Sequence, residues 1–379
     1  MPRFPWVALP WLEVCVSVLH ESFNALAGRL ADFDCIIDTR SPAEYAEDHL
    51  PGALNLPVLS DTERAEVGTL YRQRSPFEAR KVGAALVARN IARHIETDLM
   101  GHPKDWRPLV YCWRGGERSA SMAHILARIG WRTTQLAGGY KGYRRAVIEA
   151  VDALAPRLQY RVLCGPTGSG KSHLLRALAA EGAQVLDLEA LALHRGSVLG
   201  TWPDARRQPS QRAFESALWL ALANLRPGEP VYVEAESRKI GDLRVPISLA
   251  EALRSGVCVE VELEFAERVR LLLEDYAHLI AAPDELRTRL GYLTERHGRS
   301  VVAAWVDLVD AARWESLVSA LLCMHYDPAY RRSLGQHFPA AGGAPRIAVA
   351  RADEEGFRRA ARALRASWSS SHRPEGVFG

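Results

Sequence analysis

Two segments of this 379-residue sequence combine residue types that could do chemistry. In the first, Cys112-Trp113-Arg114-Gly115-Gly116-Glu117-Arg118-Ser119, a cysteine follows an apolar stretch and an arginine lies near the end of the loop. The backbone amides of a strand-to-helix turn and the N-terminus of the next helix both stabilise negative charge. They should therefore favour the thiolate form of the cysteine, which is the nucleophile. A buried structural cysteine, the alternative, would not explain the glycines and charges that follow it. We predict that Cys112 and Arg118 are catalytic and that the loop binds an anion through Trp113, Arg114, Gly115, Gly116, Glu117 and Ser119.

The second segment, Gly165-Pro166-Thr167-Gly168-Ser169-Gly170-Lys171-Ser172, fills every required position of a phosphate-binding loop (P-loop). Backbone amides from Gly168 to Lys171 should surround a β-phosphate at the N-terminus of the following helix. Lys171 should neutralise the charge as a third catalytic residue, and the Ser172 hydroxyl would bind Mg²⁺ if a metal is used. The motif predicts a polyphosphate ligand and leaves its identity open.

Charged residues that follow two later strands are predicted to support this phosphate site. Glu234 and Glu236 alternate along one strand, so we expect their side chains on one face, where either or both could bind Mg²⁺. Ser172 and Glu234 are the candidate metal ligands, and a solvent-facing pair of glutamates is the alternative. The other predicted supporting residues are Asp187, Glu189, His194, Arg195 and Arg238.

The composition is that of an ordinary globular protein, with 48% hydrophobic residues, 25% charged residues and a net charge of +3. This charge neither requires nor excludes a nucleic-acid partner. Six cysteines are too few for a disulfide framework in a chain of this length, which predicts a reducing compartment. The apolar stretch from Phe4 to Leu19 is too short to span a bilayer and contains Glu13, so we expect a cytoplasmic protein.

Short apolar runs alternate with helical patterns, which predicts an α/β fold with largely parallel sheets. The predicted strands are Cys35–Asp38, Leu109–Cys112, Thr133–Leu136, Arg161–Cys164, Gln184–Leu188, Val231–Ala235, Val257–Leu263 and Arg346–Ala350. The predicted helices include Glu78–Ile95, Ser119–Ile129, Tyr143–Ala155, Ser172–Ala180 and Gln211–Leu225. We predict one domain at 1–155, with its core at about 20–150, and a P-loop domain with a C-terminal extension at 156–379.

The segments around the cysteine loop resemble the rhodanese fold. They are Asp38-Thr39-Arg40-Ser41-Pro42-Ala43-Glu44-Tyr45, Asp48-His49-Leu50-Pro51-Gly52-Ala53-Leu54-Asn55 and Leu136-Ala137-Gly138-Gly139-Tyr140. The Cys-x5-Arg loop resembles both rhodanese-type sulfurtransferases and cysteine-dependent phosphatases, and it is one residue longer than in simple sulfur-carrying rhodaneses. A wider ring favours a tetrahedral oxyanion such as phosphate or selenophosphate over a bare sulfur atom.

A rhodanese domain followed by a P-loop domain resembles the bacterial tRNA 2-selenouridine synthases. Four further segments support the resemblance: residues 60–69 (Ser-Asp-Thr-Glu-Arg-Ala-Glu-Val-Gly-Thr), 187–197 (Asp-Leu-Glu-Ala-Leu-Ala-Leu-His-Arg-Gly-Ser), 234–241 (Glu-Ala-Glu-Ser-Arg-Lys-Ile-Gly) and 325–330 (His-Tyr-Asp-Pro-Ala-Tyr). The resemblance extends from about residue 34 to about residue 330.

The resemblance implies an N-terminal rhodanese-like domain, a P-loop NTPase-like domain and a reaction at the wobble uridine of tRNA. Geranyl diphosphate would first geranylate 2-thiouridine, and selenium from selenophosphate would then replace the S-geranyl group. Gly165, Thr167, Gly168, Ser169, Gly170, Lys171 and Ser172 would bind diphosphate without ATP hydrolysis. The implied partners are the tRNAs for Lys, Glu and Gln and a selenophosphate-supplying enzyme. No membrane and no tightly bound cofactor are expected, Mg²⁺ is an optional ion, and the oligomeric state is open.

The residues leave several alternatives open. Cys112 could carry selenium as a selenylsulfide, or its loop could bind selenophosphate while Arg118 holds the oxyanion. The main rival function is an ATP-dependent rhodanese-type sulfurtransferase acting on tRNA or another carrier. A phosphatase-like regulator with a phosphocysteine and a non-catalytic RNA-binding module are further alternatives.

Overall fold

The computed structural model describes residues 17–194, 207–337 and 343–371. Its contacts divide the chain into two units. Among the described residues, the first unit comprises 17–150 with 210–217, and the second comprises 151–194, 207–209, 218–337 and 343–371.

The first unit is built on a five-stranded, wholly parallel sheet with the order β1-β5-β4-β2-β3. Its strands are β1 (Leu19–Ser22), β2 (Cys35–Asp38), β3 (Ala53–Asn55), β4 (Pro108–Tyr111) and β5 (Thr134–Ala137). Its helices are α1 (Phe23–Leu26), α2 (Pro42–Glu47), α3 (Asp61–Gln73), α4 (Pro76–His94), α5 (Glu117–Ile129) and α6 (Gly139–Leu154). The central strands are apolar because helices cover the sheet: Ile37 and Val110 pack with Met122 and Leu126 of α5.

The second unit contains another five-stranded parallel sheet, with the order β12-β11-β6-β8-β7. The sheet strands are β6 (Gln159–Cys164), β7 (Gln184–Leu186), β8 (Pro230–Glu234), β11 (Val257–Leu263) and β12 (Arg346–Val349), and β9 (Lys239–Ile240) pairs with β10 (Leu243–Arg244) as a hairpin. The helices between these strands are α7 (Lys171–Ala180), α8 (Leu188–Ala192), α9 (Gln211–Ala223), of which residues 218–223 belong to this unit, and α10 (Ile247–Arg254). The strand that precedes the P-loop, β6, therefore lies at the centre of its sheet, next to β8.

A helical segment separates β11 from β12. It consists of α11 (Phe265–Asp275), α12 (Ala277–Ile280), α13 (Pro283–Gly291), α14 (Thr294–His297), α15 (Arg299–Asp310), α16 (Trp314–Leu321) and α17 (Asp327–His337), with a π-helical turn at Leu322–Tyr326. This segment has a core of its own around Leu290, Trp305 and Leu317. After β12, α18 (Glu354–Ser371) packs on the sheet, and Phe357 joins the core that α7 also contributes to.

The α/β architecture with parallel sheets is confirmed, since both five-stranded sheets are parallel and helices lie between their successive strands. In the described part of the chain, no helix is both long and apolar enough to cross a membrane.

Candidate active site

The cysteine loop connects β4 to α5. The strand ends at Tyr111 and the helix begins at Glu117, so Cys112 lies just after the strand that was predicted to contain it. The loop packs on the first turn of α6, where the Tyr140 amide donates a hydrogen bond to the Cys112 carbonyl at 2.8 Å. At Gly139, φ is +52° and an added Cβ would lie 2.3 Å from the Cys112 carbonyl oxygen. Only glycine allows this approach, which explains the Gly138-Gly139 pair of the sequence.

The sulfur of Cys112 is buried, with 3% of the residue exposed. The Ser119 hydroxyl lies 3.1 Å from it as a hydrogen-bond donor. The Gln135 side-chain amide donates to the Ser119 oxygen at 2.8 Å and to the Gly115 carbonyl at 2.9 Å. Gln135 therefore orients both the loop and the donor to the sulfur. The sequence analysis missed it, and the available signal was a polar residue inside an otherwise buried strand.

Arg118 forms a two-point ion pair with Glu44, with contacts of 2.7 and 3.3 Å. Burial alone would raise the pKa of Glu44. The hydrogen bonds and charge of Arg118, together with those of its other partners, outweigh burial and hold this pKa below its usual range. Glu44 also accepts a hydrogen bond from the Ser41 amide at the start of α2. Arg118 thus joins the first turn of α5 to α2.

Three of the remaining predicted loop residues lie toward solvent. Arg114, Gly116 and Glu117 are exposed, and the Trp113 ring lies 5.3 Å from the Tyr140 ring. The outer face of the loop is therefore accessible, while its sulfur is held inside.

The P-loop follows β6 and leads directly into α7, as its motif predicts. Gly168 and Gly170 have φ values of +77° and +80°, and an added Cβ at Gly170 would lie 2.4 Å from the Phe357 ring. The Lys171 ammonium donates to the carbonyl oxygens of Gly165 at 2.7 Å and Pro166 at 3.3 Å. These contacts place the lysine charge across the loop whose amides would surround a phosphate.

Arg268 of α11 supports the loop from the helical segment. Its guanidinium donates to the Thr167 carbonyl at 2.8 and 3.1 Å and pairs with Asp327 at 2.6 and 3.1 Å. Arg268 is 6% exposed. Asp327 belongs to the segment at 325–330 that the sequence analysis noted, and its contact with Arg268 gives that segment a role in positioning the P-loop.

Three glutamates converge beside Lys171. Oxygen atoms of Glu189, Glu234 and Glu236 lie within 4.8 Å of one another. The prediction that Glu234 and Glu236 share a strand face is wrong in detail, because β8 ends at Glu234 and Glu236 lies in the following loop. The chain turns after the strand, and the two carboxylates meet nonetheless.

Burial and mutual repulsion raise the pKa values in this cluster. Burial, with the charges of Glu234 and Glu236, raises the pKa of Glu189 to about 9. Burial and the charge of Glu234 raise the pKa of Glu236 to about 7. Burial also raises the pKa of Glu234, against the opposing effects of Lys171 and the Ser172 hydroxyl. Carboxylates so close together need a shared proton or a cation.

The donor set fits a hard divalent cation. Carboxylate and hydroxyl oxygens are the ligands that Mg²⁺ prefers. Glu234 is 5% exposed, and its Oε1 has no hydrogen-bond partner among the described residues. The predicted ligands Ser172 and Glu234 therefore lie together, and Glu189 and Glu236 extend the set.

One cavity connects the P-loop to these carboxylates. The predicted residues that line it are Thr167, Gly168, Gly170, Lys171, Ser172, Asp187, Glu189, Glu234 and Glu236. Residues that the sequence analysis missed come from α7 and α11 and the turn after α11: His173, Arg176, Leu271, Leu272, Asp275 and Tyr276. Within this wall, His173 contacts Asp275 at 3.0 Å. No sequence signal links α7 to α11, since these helices are about a hundred residues apart.

The other predicted supporting residues have various positions. Asp187, which lines this cavity, also caps α8 by accepting a hydrogen bond from the Ala190 amide at 2.8 Å. His194 and Arg238 are not among the residues that line the P-loop cavity, and Arg238 is exposed. Arg195 lies outside the described residues.

Family models match both units. A model described as "Rhodanese-like domain" matches residues 22–146, and one described as "tRNA 2-selenouridine synthase AAA domain" matches residues 158–288. These matches confirm the predicted order of a rhodanese-like domain and a P-loop domain.

Curated relatives extend the similarity across most of the chain. A tRNA 2-selenouridine synthase of Nitrosomonas europaea is 38% identical over 248 residues, which are 64% of this chain and 63% of the relative. The synthase of Alcanivorax borkumensis is 32% identical over 327 residues, or 78% of this chain and 88% of the relative. That of Bdellovibrio bacteriovorus is 32% identical over 343 residues, or 79% and 88%. The chain therefore belongs to the tRNA 2-selenouridine synthase family.

Proposed function

We propose that this protein converts wobble 2-thiouridine of tRNA into 2-selenouridine, using geranyl diphosphate and then selenophosphate. The observation that carries the proposal is the presence, in one chain of this family, of two loops that each follow a strand and lead into the N-terminus of a helix. One contains a buried thiol that Ser119 contacts, and the other contains the P-loop glycines and Lys171. The proposed tRNA substrates are those for Lys, Glu and Gln, and a selenophosphate-supplying enzyme is the proposed partner.

In the first step, the sulfur of 2-thiouridine attacks C1 of geranyl diphosphate. The C1–O bond breaks, diphosphate leaves with the bonding electron pair, and the uridine N3 proton passes to a base or to water. The P-loop amides and Lys171 would stabilise the charge that develops on the diphosphate. A divalent cation bound by Ser172 and Glu234 would supply further positive charge there. This step consumes no ATP.

In the second step, the selenium of selenophosphate attacks C2 of the modified base and geranyl thiolate leaves with the C–S electron pair. Water then cleaves the Se–P bond, which releases phosphate and leaves 2-selenouridine. We assign selenophosphate to the Cys112 loop. If Cys112 instead took the selenium as a selenylsulfide, the electron pair of the Se–P bond would remain on phosphorus. That step would require a reduced phosphorus product or an added oxidant. Binding of intact selenophosphate by the loop requires neither.

The test uses the purified full-length protein, a tRNA with wobble 2-thiouridine, both substrates and mass spectrometry of the nucleosides. Lys171→Ala should lose both the geranylated intermediate and the product, whereas Cys112→Ser should retain geranylation and lose selenation. Lys239→Ala and Cys323→Ser change exposed residues and serve as matched controls that should keep both activities.

Three results would contradict the proposal. Selenouridine formation that requires ATP would favour the ATP-dependent sulfurtransferase. Loss of geranylation in Cys112→Ser would refute the division of labour between the loops. In cells grown with selenium, 2-selenouridine that persists after deletion of the gene would refute the function itself.

A further inference from the structure

An apolar cavity in the second unit adjoins the P-loop cavity. Thr167, Leu272 and Tyr276 line both cavities, so the two spaces meet at the P-loop and the end of α11. Building on the proposed function, we infer that this cavity binds the hydrocarbon chain of an isoprenyl diphosphate whose diphosphate lies in the P-loop.

The wall of this cavity has the chemistry of a hydrocarbon site. Apart from Thr167, every side chain on the wall is a leucine, isoleucine, valine, tryptophan or tyrosine, and the described residues add no charge to it. The cavity volume is about 60 Å³, less than the about 300–1,000 Å³ typical of small-molecule sites, and the cavity opens at its mouth. Only part of a hydrocarbon chain would therefore lie between these side chains.

The wall is part of the folded core and not a surface groove. Leu317 and Leu321 of α16 belong to the core of the helical segment, while Leu272 and Leu322 belong to a second apolar cluster. Protein interiors are close-packed, and space left between apolar side chains costs stability. The gap between these two clusters therefore costs stability, and an apolar ligand that filled it would offset this cost.

The contrast between the two cavities selects the ligand class. Lys171, Ser172 and Arg176 line the first, which suits a diphosphate, and aliphatic and aromatic side chains line the second. A nucleoside attached to the same phosphates would place its ring nitrogens and ribose hydroxyls against this apolar wall. Burying such groups without partners is costly, whereas an isoprenoid chain has none to bury.

The test fills the cavity and compares two ligands that share a head group. Val318 lies on the wall and is half-buried, so Val318→Trp should occupy the space without adding charge. Ser316→Trp adds the same side chain at an exposed position of α16 and is the matched control. Dissociation constants for geranyl diphosphate and inorganic diphosphate are measured by calorimetry with the full-length protein.

The wild type and Ser316→Trp should bind geranyl diphosphate at least tenfold more tightly than diphosphate. Each buried methylene contributes about 0.8 kcal/mol, or about fourfold in affinity, so a partly buried chain suffices for this difference. Val318→Trp should remove most of the preference and leave the dissociation constant of diphosphate unchanged. The wild type should bind dimethylallyl diphosphate more weakly than geranyl diphosphate, whereas Val318→Trp should bind these two ligands with about equal affinity.

The outcomes separate this inference from the proposed function. A wild type that prefers geranyl diphosphate, with the preference intact in Val318→Trp, overturns the cavity assignment and leaves the function standing. A wild type that binds diphosphate and geranyl diphosphate equally overturns the cavity assignment, and if it also binds ATP tightly it counts against the proposed first step. Equal losses in both tryptophan variants would mean that the effect does not come from the cavity, which also overturns the assignment.

Discussion

Removing Arg268 should both destabilise the second unit and weaken diphosphate binding. The Arg268 side chain is 8% exposed and that of its partner Asp327 is 17% exposed, so Arg268→Met would leave a largely buried carboxylate without its counterion. It would also remove both hydrogen bonds to the Thr167 carbonyl. Because that carbonyl belongs to the peptide that carries the Gly168 amide, the P-loop should lose part of its preset geometry.

The magnitudes follow from the kind of contact. Breaking a buried ion pair by removing one partner costs about 3–5 kcal/mol, whereas replacing both partners by apolar side chains is often close to neutral. The double variant Arg268→Met/Asp327→Leu should therefore recover most of the stability lost by Arg268→Met. It should not recover the hydrogen bonds to Thr167. Hydrogen bonds from a charged group contribute about 1.5–3 kcal/mol. The double variant should therefore bind diphosphate about tenfold to a hundredfold more weakly than the wild type.

Urea unfolding and diphosphate calorimetry measure the two effects separately. Arg287→Met is the control, since Arg287 pairs with Asp310 on the surface of the same helical segment, at 2.7 Å and with 37% of its side chain exposed. It should leave both the unfolding midpoint and diphosphate affinity nearly unchanged. A double variant as unstable as Arg268→Met, or one that binds diphosphate like the wild type, would refute the reasoning.

Three further predictions concern other contacts. Gly139→Ala should destabilise the first unit by about 2–5 kcal/mol in urea unfolding, because left-handed backbone and a close carbonyl both oppose a Cβ, whereas Gly101→Ala, with open space around it, should not. Ser119→Ala should slow the alkylation of Cys112 by iodoacetamide, as measured by peptide mass spectrometry, because the sulfur loses its hydrogen-bond donor. Ser121→Ala on the same helix should have no such effect. In metal-free buffer the folded cluster binds more protons than the unfolded chain, because its pKa values are raised to about 9 at Glu189 and about 7 at Glu236. Unfolding free energy should therefore fall as pH rises from about 5 toward 9, and a flatter profile in Glu236→Gln would confirm the source.

Both loops were predictable because their geometry is local. A strand, a glycine-rich turn and a helix lie next to one another in sequence, and the positive φ values at Gly115, Gly168 and Gly170 are conformations that glycine permits. The ends of elements were less accurate. Because alternation of residue types continues past the last strand residue, Glu236 was predicted to share a strand face with Glu234, but the strand stops at Glu234.

Long-range partners could not be predicted in the same way. Gln135 reaches Ser119 across a strand crossover, and Arg268 reaches Thr167 from a helix 101 residues away. Nothing in a buried glutamine or a helical arginine distinguishes such contacts from ordinary polar residues, because the pairing depends on sheet order and helix packing.

The apolar cavity shows the same limit in its strongest form. Leucines at helical spacing in α11 and α16 give one sequence pattern whether they pack against each other or stand apart around a ligand. The difference lies in a separation between helices that only tertiary packing sets, and in the sharing of Leu272 and Tyr276 with the P-loop cavity. A hydrocarbon site beside a phosphate site is thus an inference that requires the structure, since the sequence alone predicts only a phosphate ligand and a helical core.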